Sequence, residues 1–205
     1  GFTSVSEALT PETLVDMLAR YLDEMTGEIL RYGGTVDKFI GDAIMAFWGA
    51  PKPFEQDALA ACRAALANRA RLETLRQVWA KANLPTLDTR TGIHTGTATV
   101  GNFGSPSRLD YTAIGDAVNV ASRLENLNRV YGTDILISDV TQHDVADVIV
   151  TRPIDKVAVK GHQEGLVIYA LIGERERCSD EELALARTCT DAMALYFGGN
   201  WEAAE

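Results

Sequence analysis

The sequence predicts an α+β fold in which a largely antiparallel sheet carries helices on one face. Segments with the apolar spacing of helices alternate along the chain with short β-rich segments. The predicted strands form hairpins as often as crossovers, which argues against a doubly wound parallel sheet. The chain contains no internal repeat of domain size. A helix-and-sheet layer structure therefore fits this pattern best.

Three long helices are predicted from their ends and their apolar spacing. The first begins at Thr10-Pro11-Glu12, where a hydroxyl side chain can cap the helix and proline occupies the first turn, and Gly33-Gly34 ends it. An Ala- and Arg-rich segment over 57–82 predicts the second helix. Gly115-Asp116 opens the third, which runs to about Tyr131. A further helix is expected over 181–197, and another is expected to start near residue 201.

The strands are predicted from short β-rich segments between glycine and proline residues. Residues 35–49 are β-rich but are interrupted by Gly41-Asp42, which indicates a hairpin. Residues 101–107 are interpreted as a glycine-containing loop, and Gly1-Phe2-Thr3-Ser4 as a strand end or turn. Further strands are expected within 89–100, at 135–137, at 148–159 and at 166–171.

Length and composition favour a packed soluble domain. The chain has 205 residues, of which 46% are hydrophobic and 23% charged, and this composition excludes disorder as the dominant state. No apolar run approaches the ~20 residues needed to cross a bilayer. The character of the sequence changes after Gly173. We therefore expect a domain over 1–173 and a C-terminal helical extension over 174–205.

The charge and the cysteine content exclude several function classes. Lys and Arg number 19 against 29 Asp and Glu, and the net charge of −10 argues against a protein that follows a nucleic-acid backbone. An anionic substrate would require metal ions or a local basic cluster. Cys62, Cys178 and Cys189 lack the spacing of a disulfide framework or a zinc site. Buried thiols in a reducing compartment are expected.

The tetrapeptide Ile-Gly-Asp-Ala occurs twice, and its two aspartates have different contexts. Asp116 precedes a helical pattern, so its expected role is to cap that helix. Asp42 precedes a strand and has no helix to cap. From the residues alone, an ordinary turn aspartate and a functional carboxylate are both open for Asp42.

Other polar residues have both an ordinary and a functional interpretation. Lys38 is either a lysine on the solvent face of the hairpin, paired with Asp37, or a polar group directed into a cleft. Thr112 is expected at a strand end and Lys160 at a turn. Threonines and lysines at such positions commonly have no functional role. His94 has no His or Cys partner at metal-ligand spacing, which favours a structural, hydrogen-bonded histidine.

Asn119 and Arg123 lie four residues apart in the third predicted helix and therefore share one of its faces. An amide and a guanidinium at a helix start can hold a phosphate. The alternative is that Arg123 forms a salt bridge with Glu125 or Asp116. The spacing does not decide between these two interpretations.

Taken in order, six motifs closely resemble the catalytic domain of class III nucleotidyl cyclases, over residues 1 to about 172. They are GFTS at 1–4, GTVDKFIGD at 34–42, GIHTG at 92–96, VGN at 100–102, DYTAIGDAVNVASRLE at 110–125 and VKG at 159–161. The resemblance implies a ferredoxin-like βαββαβ core that pairs head to tail. It also implies active sites at the dimer interface, built from both chains.

The resemblance assigns a metal role to Asp42, which would bridge two Mg²⁺ or Mn²⁺ ions. The family motif runs Asp-Ile-x-Gly-Phe-Thr, and the sequence begins at the glycine of that motif. A second metal-binding aspartate, together with the first core strand, is therefore expected upstream of Gly1. We expect the chain used as written, without that aspartate, to have very weak activity.

The remaining motif positions imply how the nucleotide is held. Lys38 and Thr112 would read the purine base, Asn119 would orient the ribose, Arg123 would steady the α-phosphate and Lys160 would bind the triphosphate. Lysine with threonine at the base-reading positions is typical of adenine in this family. The resemblance thus implies a homodimeric adenylyl cyclase that converts ATP to 3′,5′-cyclic AMP and pyrophosphate. It implies a cytoplasmic domain attached to sensor or membrane modules.

Two alternatives to this function are kept. A guanylyl cyclase would share the fold, although Lys38 and Thr112 argue against it. An inactive cyclase-like module that binds nucleotide or a partner and regulates is the other alternative.

Overall fold

The computed structural model describes residues 2–53, 55–158 and 165–200, and it confirms the α+β class. In chain order the elements are α1 (Phe2–Ala8), α2 (Pro11–Arg31), β1 (Thr35–Ile40), β2 (Ala43–Phe47), α3 (Asp57–Lys81), β3 (Thr91–Ile93), β4 (Thr99–Ser105), β5 (Arg108–Ile114), α4 (Asp116–Tyr131), β6 (Ile135–Ser138), α5 (Asp139–Val145), β7 (Ile149–Val157), β8 (Leu166–Glu174) and α6 (Asp180–Phe197). The chain divides into two compact units, Gly1–Thr89 with Val100–Ala113, and Arg90–Thr99 with Ile114–Glu205.

The first unit is built on α2 and α3 and carries two hairpins. The Oγ1 atom of Thr10 accepts a hydrogen bond from the Thr13 N–H at 3.4 Å, and Pro11 is the first helical residue, as predicted. One face of α2 packs with α3 in the core of this unit. Its buried members are Val5, Met17, Tyr21, Met25, Leu72, Leu75, Trp79 and Leu87.

The prediction of a strand end or turn at residues 1–4 is wrong, because α1 is a helix that begins at Phe2. Val5 of α1 is buried in the core cluster formed with α2 and α3. Burial of this side chain outweighs the weak local preference of four residues read in isolation.

The β1–β2 hairpin confirms the prediction from Gly41-Asp42. The strands are antiparallel, and Ile40 faces Ala43 across the turn. Gly41 has a φ of +64°, a left-handed conformation that glycine adopts without strain. The register shifts between Val36 and Lys38, so Asp37 is the extra residue of a β-bulge.

Residues 101–107 do not form the predicted loop; most of them belong to β4, which pairs with β5. Only Pro106 and Ser107 connect the two strands. Gly104 explains the difference, because a Cβ atom at this position would lie 2.1 Å from the carbonyl oxygen of Arg108. The glycines permit close backbone approach within a hairpin rather than marking an irregular loop.

The second unit contains a four-stranded sheet in the order β3-β6-β8-β7, in which only β3 and β6 are parallel. The antiparallel pairing of β7 with β8 confirms the predicted closing strands. Helix α4 packs on this sheet through Val120 and Leu124 against Leu136 and Ile168. Strand β3 approaches α4 closely at Gly92, where a Cβ would lie 2.2 Å from the Ala121 carbonyl oxygen.

Two short features close the second unit. Helix α5 was not predicted; the Ser138 hydroxyl accepts from the Thr141 N–H at its start. Helix α6 confirms the prediction and begins with a capping box between Ser179 and Glu182. The predicted turn at Lys160-Gly161 and the helix expected near residue 201 lie outside the described residues.

No helix in the described ranges is both long and apolar enough to span a membrane. The predicted boundary at residue 173 stays a prediction.

Candidate functional site

The side chains of Lys38 and Thr112 meet at one carboxylate, that of Asp37. The Thr112 hydroxyl donates a hydrogen bond to Asp37 Oδ2 at 2.5 Å, and the Ala113 N–H donates to the same oxygen at 3.3 Å. Lys38 Nζ lies 3.3 Å from Asp37 Oδ1. The Asp37 side chain is 1% exposed, whereas that of Lys38 is 42% exposed. A buried carboxylate thus holds a buried hydroxyl and a partly exposed ammonium.

The bulge in β1 explains how two successive residues, Asp37 and Lys38, can form an ion pair. In a regular strand, neighbouring side chains point to opposite faces of the sheet. A bulge inserts one residue and redirects its side chain, and Asp37 is the inserted residue here. The ring of Phe47 on β2 lies against that of Tyr111 on β5, with 6.2 Å between centroids, which brings the second hairpin beside the first.

Asp42 lies at the turn between β1 and β2 and is half-buried. The negative charge of Asp42 affects the pKa of Tyr21 in α2. Burial raises the pKa of the Tyr21 hydroxyl above its ordinary value, a hydrogen bond with Thr89 at 3.2 Å opposes this rise, and the negative charge of Asp42 adds to it. The Asp42 carboxylate, at the tip of the hairpin, is therefore near enough to α2 to affect Tyr21.

A carboxylate at this position is a suitable ligand for Mg²⁺ or Mn²⁺, which prefer oxygen donors. Among residues 2–53, 55–158 and 165–200, however, no group of three His, Cys, Asp or Glu side chains is close enough to hold a metal ion. The part of the chain that the structure describes therefore fits one carboxylate ligand and not a complete metal site.

Asn119 and Arg123 are both exposed on α4, on the face that their spacing predicts. Neither salt bridge considered for Arg123, with Glu125 or with Asp116, is formed, and Glu125 instead pairs with Arg90 at 3.6 Å. Within the described ranges, Arg123 has no ion-pair partner. Its guanidinium can therefore bind an anion without first breaking an internal pair.

The prediction that Asp116 caps α4 is wrong. Gly115 occupies the N-cap position, and Asp116 is the first helical residue. A Cβ at Gly115 would lie 3.2 Å from the Thr97 carbonyl oxygen, so the close packing there favours glycine at the cap position. At the first helical position, the carboxylate of Asp116 still complements the positive end of the helix dipole.

His94 is a structural residue, as its isolation in the sequence indicates. Its Nδ1 atom lies 2.8 Å from the Ser138 hydroxyl, which is fully buried.

Cys62, Cys178 and Cys189 form no disulfide, and the expected burial holds only for Cys62, because Cys178 and Cys189 are half-buried. Cys178 precedes α6, and Cys189 lies within it. Burial raises the pKa of the Cys62 thiol to about 12, so this thiol is not nucleophilic at neutral pH.

The central position of Asp37 was not predicted from the sequence, in which Asp37 was expected only as a surface partner of Lys38. A carboxylate beside a lysine in a mostly apolar strand was the available signal. Its contact with Thr112, 75 residues away, has no signature in the local sequence. Lys160 lies outside the described residues.

The first unit thus offers a lysine, a threonine and a turn carboxylate, and the second offers an amide and an unpaired guanidinium. These are groups suited to a nucleotide and its phosphates, and the comparisons with known proteins point to the same class. Residues 1–173 match the profile of the adenylate and guanylate cyclase catalytic domain. The chain belongs to this family.

Individual relatives agree with this assignment. The chain is 43% identical over 172 residues to adenylate cyclase 1 of Rhizobium meliloti, a match that covers 84% of this chain. Its structure is similar to the crystal structure of the adenylyl cyclase CyaB from P. aeruginosa, with a TM-score of 0.79 and 42% identity over 87% of this chain and 92% of that one. It is also similar to the guanylyl cyclase Cya2, with a TM-score of 0.78 and 35% identity over 86% of this chain and 89% of that one.

The chain spans only 26% of the length of the Rhizobium protein. Sequence and fold therefore agree on a cyclase catalytic domain, with one adenylyl and one guanylyl cyclase among these structural neighbours.

Proposed function

We propose that this chain is the catalytic domain of an adenylyl cyclase, which converts ATP to 3′,5′-cyclic AMP and pyrophosphate. The observation that carries the proposal is the convergence of Lys38 and Thr112 on Asp37, within 3.3 Å in each case. These are the two positions to which the family resemblance assigns recognition of the base. Lysine with threonine there is the adenine-specific combination.

In this proposal the reaction is an in-line attack of the 3′-hydroxyl on the α-phosphorus, which expels pyrophosphate. Arg123 would donate hydrogen bonds to the α-phosphate as negative charge develops on it, and Asn119 would hold the ribose. These roles are supported by the exposure of both residues and by the Arg123 guanidinium, which forms no ion pair with the residues that the structure describes. Donors aimed at developing charge lower the barrier more than donors that bind the ground state equally well. Lys160 would bind the triphosphate.

Asp42 would supply one carboxylate to a site for two Mg²⁺ or Mn²⁺ ions. Two such ions, when bound, make the attacking hydroxyl more acidic and neutralise the leaving oxygens. Among the described residues Asp42 belongs to no group of three possible metal ligands, so the bound ions would need ligands in addition to it. Bound cations would also allow a protein with a net charge of −10 to hold a triphosphate.

The proposed assembly is a head-to-tail homodimer with two equivalent sites at the interface. One chain carries candidate residues for metal, base and phosphate together, so two identical chains can complete both sites. We further propose that the domain works in the cytoplasm, joined to sensor or regulatory domains. The chain corresponds to only 26% of the length of the Rhizobium relative, and this supports the proposal of attached domains.

The test is a product assay with the full-length protein. The protein is incubated with ATP or with GTP in the presence of Mn²⁺, and the products are identified by chromatography and mass spectrometry. Cyclic AMP from ATP is the expected product. Cyclic GMP as the main product would favour the guanylyl cyclase alternative, which the likeness to Cya2 motivates. Nucleotide binding without turnover would indicate the regulatory module.

A further inference from the structure

We infer that Asp37 sets the hydrogen-bonding direction of the Thr112 hydroxyl and thereby selects a 6-amino purine over a 6-oxo purine. The inference rests on the proposed nucleotide site and adds a residue to it. Asp37 does not touch the base in this scheme; it is a positioning residue that acts through Thr112 and Lys38.

The first step concerns the hydroxyl proton of Thr112. A carboxylate can only accept hydrogen bonds, so the Thr112 hydroxyl must donate its one proton to Asp37 Oδ2. The Ala113 N–H donates to the same oxygen and fixes the carboxylate on this side. Because that proton is engaged, the Thr112 oxygen can only accept a hydrogen bond from a ligand.

The second step concerns Lys38. Its ammonium is 3.3 Å from Asp37 Oδ1, an oxygen that is buried and receives no hydrogen bond from the described residues. The ion pair therefore balances a buried negative charge and keeps the lysine beside Thr112. Because the Lys38 side chain is 42% exposed, its remaining donors can still reach a ligand.

The resulting pattern is one acceptor beside one donor. Adenine carries an amino group at its 6-position, which donates, whereas guanine carries a carbonyl oxygen there, which accepts. The Thr112 oxygen can pair with the amino group, but it would face a carbonyl oxygen with no proton between them. A buried polar group that loses its hydrogen-bond partner costs free energy. Sites that hydrogen-bond one substrate group therefore discriminate strongly against analogues that cannot form that bond.

The alternative is that Asp37 only ties the β1–β2 hairpin to β5. In that case its removal would lower stability or overall activity, but would affect 6-amino and 6-oxo purines equally. Selectivity between the two bases separates the roles, because a purely structural defect does not depend on the group at the 6-position.

The experiment compares Asp37→Asn with the wild type in the full-length protein. Asparagine has nearly the same shape. With its amide oxygen toward the Lys38 ammonium, its NH2 group replaces Oδ2 and loses the Ala113 N–H contact, but it donates to the Thr112 oxygen and so frees the hydroxyl proton to point at the ligand. The values of kcat and KM are measured for ATP and for inosine triphosphate, which differs from ATP only in having a 6-oxo purine. We expect the ratio of the two kcat/KM values to fall about tenfold or more, the effect of one buried hydrogen bond.

The matched control is Asp88→Asn, which removes a carboxylate that pairs with Arg76 on the exposed surface of the same unit. This variant should keep the wild-type ratio. Thr112→Ser, which retains the hydroxyl, should also keep it. Thr112→Val removes the hydroxyl, so Asp37→Asn should change the ratio no further in that background.

Binding of 3′-deoxy-ATP and 3′-deoxy-inosine triphosphate, which lack the attacking hydroxyl, gives a readout independent of turnover. If Asp37→Asn changed the ratio of the affinities for these two nucleotides while the wild type turned over neither ATP nor inosine triphosphate, the inference would be supported and the proposed cyclase activity rejected. Turnover of ATP with an unchanged ratio in a folded Asp37→Asn variant would overturn the inference and leave the proposed function standing. Failure of the wild type to bind either nucleotide would overturn both.

Discussion

Arg123 combines exposure on α4 with a guanidinium that no described residue neutralises. If it contacts the α-phosphate mainly in the transition state, Arg123→Ala should lower kcat by about 10²–10³ and change KM little. Steady-state kinetics with ATP checks this expectation. Arg129→Ala, at an exposed position in the last turn of the same helix, is the control and should keep the wild-type kcat.

If the Arg123→Ala variant kept the wild-type kcat, a role of Arg123 in stabilising the transition state would be excluded. A rise in KM without loss of kcat would instead indicate uniform binding of substrate and transition state.

Asp42 lies at a turn where Gly41, not Asp42, carries the left-handed backbone conformation. Asp42→Ala should therefore leave the fold intact and abolish turnover, because the proposed metal site loses its carboxylate in this part of the chain. The thermal unfolding temperature and the rate of cyclic AMP formation measure the two effects separately. Asp16→Ala, at an exposed position on α2, should change neither.

Retention of activity in Asp42→Ala would exclude the metal role. Loss of the folded state would show that Asp42 is structural instead.

At the scale of the elements, the contact of β3 with α4 depends on Gly92. A Cβ there would lie 2.2 Å from the Ala121 carbonyl oxygen and 2.3 Å from the Glu125 N–H nitrogen, and neither backbone atom can move without shifting the helix. We expect Gly92→Ala to lower the free energy of unfolding by about 3 kcal/mol or more. Denaturant unfolding measures this change.

The control is Gly27→Ala, in the interior of α2, where a Cβ would meet nothing within 4 Å. Alanine is favoured over glycine by about 1 kcal/mol in a helix, so this variant should be slightly more stable. If Gly92→Ala unfolded like the wild type, the close approach of strand and helix would be wrong.

At the scale of the whole molecule, the proposed dimer divides each site between two chains. The Asp42→Ala variant should be inactive and the Arg123→Ala variant nearly so, but a mixture of refolded or co-expressed chains should regain activity. Random pairing makes half of the dimers mixed, and each mixed dimer has one of its two sites intact, so about a quarter of the wild-type activity is expected. The rate of cyclic AMP formation in an equimolar mixture measures this recovery.

Mixing each variant with itself gives the baseline for this measurement. If the mixture stayed at that baseline although mixed dimers formed, the two residues would belong to the same chain in each site, and the shared site would be rejected.

Features with local causes could be predicted from the sequence. Thr10 and Pro11 start α2, Gly41 turns the first hairpin, and the spacing of Asn119 and Arg123 places them on one helical face. Each of these follows from the conformational preference of a few neighbouring residues, so a short stretch of sequence is enough to predict it. The family motifs, too, are continuous stretches of sequence.

Features that depend on residues far apart in the chain are established only when the chain folds. Asp37 meets Thr112 because a bulge redirects its side chain and because the second hairpin packs beside the first. Burial of Val5 in the core made a helix of the segment interpreted as a turn, and the close pairing at Gly104 made a hairpin of the segment interpreted as a loop. For these segments the local sequence favours several conformations with nearly equal free energy, and packing against distant residues determines which one forms. These features therefore could not be predicted from the sequence.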